Sequence, residues 1–94
     1  MAPPPLDPER VRARREQRWA FLLRLYEAAE EAGAPYVDGW ELAADLGLDR
    51  AAAERIARYL EDHGFVKNTS GNDLVLRITA RGIDHVERRF LRSG

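Results

Sequence analysis

Ninety-four residues with a formal net charge of −1 and no cysteine make one small domain, without a disulfide framework or a thiolate metal site. The longest uninterrupted apolar run, Trp19 to Leu23, falls far short of the ~20 residues that span a bilayer. The opening MAPPPLDPER also lacks the basic start and apolar stretch of a signal peptide, so a membrane-free cytoplasmic protein of the reducing cytosol is expected.

In chain order, residues 1–7 are proline-rich and read as a disordered tail, with Asp7 as N-cap and Pro8 at the first helical position. The first helix can then run to Gly33 as its C′ residue. Its first half, PERVRARREQR, is nearly all charged, whereas Trp19 to Ala32 places apolar side chains over an arc of roughly 220°, about twice a one-sided stripe. APYV is a short extended segment ending on Asp38, which with Glu41 resembles a capping box before a short second helix. Leu42, Ala43 and Leu46 form its inner face, and Gly47 stops it. Asp49 caps a third helix from Arg50 to His63, closed by Gly64, with Ala53, Ile56, Ala57 and Leu60 facing inward. The period then changes to two. FVKN and LVLRIT flank TSGND as a hairpin, Leu74, Leu76 and Ile78 alternating with Val75 and Arg77. Thr79 caps a fourth helix whose stripe is Ile83, Val86 and Phe90.

The order helix, short strand, helix, helix, two-stranded hairpin, helix is that of a winged helix, mainly α with a small β-hairpin, and residues 8–94 form one such domain with a basic N-terminal helix extension. LAADLGLDRAAAERIARYLEDHGFV resembles the helix-turn-helix of MarR-type bacterial transcriptional regulators, and LRITARGIDHVER is similar to their last wing strand and following helix. The resemblance implies double-stranded DNA as partner and a role in transcription regulation. On that analogy, Arg50, Ala51, Arg55 and Arg58 lie on the major-groove helix and Lys67, Asn68 and Ser70 on the wing. Arg12 and Arg15 of the first helix then reach phosphate.

Two features depart from that pattern. The nose of the third helix carries Ala51, Ala52 and Ala53 where the family has hydroxyls, and alanine can touch a thymine methyl but neither donates nor accepts. Charge is also uneven. Residues 1–33 carry six basic against six acidic side chains, residues 34–66 three against seven, and residues 67–94 six against three, so the helix-turn-helix is the acidic third. Arg50, Glu54, Arg58 and Asp62 follow at i, i+4 as a ladder expected to hold the arginines in ion pairs. Weak binding, mostly to phosphate and with little base discrimination, is the expectation. The alternative is a winged-helix protein-interaction module that does not bind DNA.

Trp40 and Tyr59 read as core aromatics, and His85 as exposed. Two distant histidines make no metal site, and no nucleophile elbow or glycine-rich phosphate loop is present, so a non-enzyme without cofactor or small-molecule ligand is expected. The wide arc of the first helix predicts a homodimer through Phe21, Leu25 and the C-terminal helix.

Overall fold

The computed structural model describes residues 5–93, so the first four residues of the expected tail, and Gly94 at the end of the expected domain, lie outside the described residues. The chain is mainly helical with a small antiparallel sheet, in the order α1 (Pro8–Glu30), β1 (Val37–Asp38), α2 (Gly39–Asp45), α3 (Arg50–Asp62), β2 (Val66–Asn68), β3 (Val75–Ile78) and α4 (Ala80–Ser93). Among the described residues, no helix is long and apolar enough to cross a membrane.

Each helix begins where a short oxygen-bearing side chain satisfies free N–H groups. The Asp7 carboxylate accepts from Glu9 N–H at 3.0 Å, Asp38 from Trp40 at 2.9 Å and Glu41 at 3.3 Å, and Asp49 from Ala52 at 2.8 Å. Thr79 works in both directions. Its Oγ1 accepts from Gly82 N–H at 3.1 Å and donates to the Gly64 carbonyl at 2.6 Å, joining the start of α4 to the end of α3. α1 ends before Gly33, whose φ of +66° reverses the chain and lets the Ala34 N–H reach back to the Ala28 carbonyl at 2.8 Å.

The sheet order is β1-β3-β2, with Val37 opposite Leu76 and Val66 opposite Ile78. The hairpin thus gains a third strand from the extended segment before α2. Alternation along β3 drives Leu74, Leu76 and Ile78 inward, where they meet Phe21, Leu22 and Leu25 of α1 and the inner face of α3. Val66 and Val86 close the same core. Gly82 is required by a close approach: a Cβ there would sit on the Phe65 carbonyl oxygen and press the Ile78 side chain.

The broad apolar arc of α1 is consumed inside the chain, because β3, α4, α3 and α2 all pack on it. Phe21 and Leu25 are 0% and 1% exposed, which corrects the expectation that they would face a second copy. The α4 stripe is corrected as well. Ile83 is half-buried and Val86 buried, but Phe90 is 62% exposed on the rim of a groove with Leu23 and Tyr26. The Tyr26 hydroxyl ties the two helices by donating to Glu87 at 2.8 Å, and that carboxylate, with burial and the nearby Glu30 and Glu31, raises the tyrosine pKa.

Candidate nucleic-acid interface

The nose of α3 has less to offer than its sequence suggests. Asp49 fixes the register so that Ala52 and Ala53 enter the core, leaving Ala51 and Arg50 exposed. The Arg50 guanidinium lies 4.1 Å from the centroid of the half-buried Trp40 ring, on α2. This replaces the expected ladder. Neither Glu54 nor Asp62 closes an ion pair with Arg50 or Arg58, and the ion pair found among the described residues joins Arg12 to Glu9 at 2.9 Å. An arginine preceding a glutamate by four residues is the weaker orientation of a helical pair, and an aromatic face nearby is a competing seat. The ring holds Arg50 without neutralising it.

A positive groove lies along the side of α3. Arg10, Arg14 and Arg18, at i, i+4, i+8 on α1, line one groove of about 780 Å³ with Arg55 and Arg58 of α3. Asp62 is the one carboxylate among its described lining residues. Arg18 is seated over the Tyr59 ring at 4.3 Å, so Tyr59, 39% exposed, is a surface platform and not the core aromatic expected. Of the α1 arginines singled out from sequence, Arg12 lies off this face and turns back to Glu9, and Arg15 lines a different cleft with Arg18, Arg89 and Arg92. A four-residue repeat from Arg10 was the available signal; nothing in sequence showed that α3 would lie beside it.

No family model matches this chain. No solved structure matches it either. Riboflavin kinase from Thermoplasma acidophilum is 30% identical over 76 residues, a stretch that makes up 80% of this chain and 34% of the kinase, so the chain spans about a third of that relative.

The β2–β3 hairpin uses part of its polar composition to hold itself together. Lys67 is exposed on β2, opposite Arg77 of β3. Asn68 builds the structure: its N–H donates to Glu61 Oε2 at 3.1 Å, and its side-chain oxygen accepts from Ser70 N–H at 3.1 Å. Ser70 is accordingly half-buried in the turn. The hollow between α3 and the β2–β3 hairpin is lined by Glu54, Arg58, Glu61, Asn68 and Asn72, against Trp40 and Leu74. Two carboxylates face one arginine there, and the Glu61 brace from α3 to the hairpin is not legible in sequence because it links residues across a turn and a strand.

A second aromatic group sits at the other end of α3. Tyr59 and His63 have ring centroids 4.6 Å apart, His63 and Phe65 5.3 Å, and Phe65 and His85 4.3 Å. His85 is therefore half-buried instead of exposed. Burial first, then the charges of Arg89, Arg88 and His63, lower its pKa below the ordinary value of 6.5.

Proposed function

We propose that this chain is a small winged-helix DNA-binding protein acting in transcription regulation in the cytoplasm, held on duplex DNA chiefly by phosphate contacts. The observation that carries this reading is the groove in which Arg10, Arg14 and Arg18 face Arg55 and Arg58 with Asp62 as the lone acid among its described lining residues. Phosphate neutralisation supplies most non-specific affinity for DNA, and five guanidiniums on two rigid helices provide it. The element order, with a strand before α2 and a hairpin between α3 and α4, supports the winged-helix assignment. The alanines at the nose and the carboxylates beneath the wing favour low base discrimination. Arg50 and Ala51 then touch the duplex at the edge of the contact, and Lys67 adds a phosphate contact from the wing.

Anisotropy titrations with random-sequence duplex at low and moderate salt test the reading. Affinity should fall steeply with salt, and replacing both Arg55 and Arg58 by alanine should reduce the slope of log K against log salt by about 2, one per phosphate contact. A duplex left unbound at low salt removes the proposal.

A protein-interaction module without DNA binding is the second reading, favoured by Phe90 and Leu91, which are 62% and 77% exposed on α4. A homodimer belongs to either reading. Its contact would fall on Phe90, Leu91 and the groove with Leu23 and Tyr26, where sedimentation of the F90D variant against the unmodified chain would detect it.

A further inference from the structure

The cleft between α1, the C-terminal turn of α3 and α4 is separate in character from the groove assigned to DNA. It measures about 570 Å³, within the size range of small-molecule sites. Its floor is apolar, formed by Leu22 and Leu60, each 2% exposed. One wall is the ring series Tyr59, His63, Phe65 and His85, and Trp19 stands at the α1 side. Its rim holds Arg15, Arg18, Arg89 and Arg92, and no carboxylate is among the described lining residues.

Two of these guanidiniums are positioned by rings: Arg18 lies 4.3 Å from the Tyr59 centroid and Arg89 4.1 Å from that of Trp19. Stacking on Tyr59 fixes the plane of the Arg18 guanidinium without neutralising it, and its in-plane N–H edge is suited to a phosphate fork. Phe65 and His85, both half-buried and stacked 4.3 Å apart, give the wall an aromatic surface for a second planar group. Anion recognition and aromatic stacking thus meet in a single hollow.

We propose that this cleft binds a free nucleotide, a planar heteroaromatic ring carrying a phosphate, with the ring lying against the Phe65 and His85 wall and the phosphate forked by Arg15, Arg18 and Arg92. The inference does not depend on the chain binding DNA: of the three arginines of the fork, Arg18 alone also lines the α3 groove. The lowering of the His85 pKa by burial favours the uncharged ring on this wall.

The test is an NMR titration of the full chain with AMP or GMP, against adenosine alone and inorganic phosphate alone. The Trp19 indole and His85 ring signals should move together and saturate, while the Lys67 amide stays in place. AMP should bind about tenfold or more tightly than either part alone. The R15A/R92A variant should lose about tenfold or more in AMP affinity and R12A should lose nothing. Arg15 and Arg92 are exposed, so the core is untouched by their removal, and the comparison of AMP with its parts decides the matter on the unmodified chain. Linear, unsaturated shifts into the millimolar range would overturn the proposal. Inorganic phosphate binding as well as AMP would reduce the cleft to simple anion attraction and overturn it too. A single-stranded oligonucleotide that moves the same signals with about tenfold higher affinity than AMP would transfer the site from a free nucleotide to a strand, again against the proposal.

Discussion

The two halves of α1 are one continuous helix under opposite physical regimes. From Trp19 onward its side chains are enclosed by four other elements, with Phe21, Leu22 and Leu25 at most 2% exposed. Before Trp19 it carries five arginines, and no residue from Pro8 to Gln17 is buried. The second half is placed by the core. The first is placed by the second, as a rigid arm that brings Arg10 and Arg14 beside Arg55 and Arg58 and seats Arg18 over the Tyr59 ring of α3. Stability and charge presentation therefore reside in separate parts of the same helix, and mutations should divide along that line.

The largest effect is expected in the enclosed half. Phe21→Ala removes the largest fully buried side chain and should cost about 3–5 kcal/mol, enough to unfold a domain of this size near room temperature. Thermal melting checks it, and an unchanged midpoint would mean that α1 does not pack as described. Next, Gly82→Ala should destabilise by about 1–3 kcal/mol because the added methyl meets the Phe65 carbonyl, which is backbone and cannot turn aside. Denaturant titration reads this directly.

In the exposed half, R10A/R14A should leave stability within about 0.5 kcal/mol while lowering the salt slope of DNA binding by about 2. A fall in both quantities would show that the arm is part of the core after all. R12A is the matching control: its partner is Glu9 on the same exposed turn, so neither melting nor DNA affinity should change measurably.

A smaller effect concerns pH. His85 has a folded pKa below its unfolded value near 6.5, so the unfolded chain binds the proton more readily. Its contribution to stability is present above 6.5 and is lost as pH falls through the lowered folded value. Melting temperatures should decline on acidification through that window, and H85F should flatten the decline; an unaltered profile would remove His85 as its source.

The sequence was most informative where structure is local. Asp7, Asp38, Asp49 and Thr79 are caps because a carboxylate or hydroxyl reaches an N–H two or three residues away, and the alternation of Leu74, Leu76 and Ile78 is a property of one strand. What failed depended on neighbours distant in sequence. The surplus apolar arc of α1 points Phe21 and Leu25 at a second subunit because the chain does not announce that β3 and α4 cover them. Arg50 was paired with Glu54 by spacing, but Trp40, ten positions earlier, lay closer in space. Arg12 and Arg15 stand in the same run as Arg10 and Arg14, and only packing against α3 shows which of them line its groove. Phe90 continued a good stripe past the point where α4 has a partner to cover it.

The Thr79 side chain has a consequence for how the molecule opens. One hydroxyl satisfies the Gly64 carbonyl and the Gly82 amide together, and the Thr79 amide itself donates to the Phe65 carbonyl at 2.9 Å. Fraying of the first turn of α4 loosens the atom that also holds the closing turn of α3, so the two openings are coupled. In hydrogen exchange, the amides of Thr79 and Gly82 should show similar protection factors, set by a shared opening event. The C-terminal helix and the end of α3 would then unfold as a single cooperative unit rather than peeling away in sequence order.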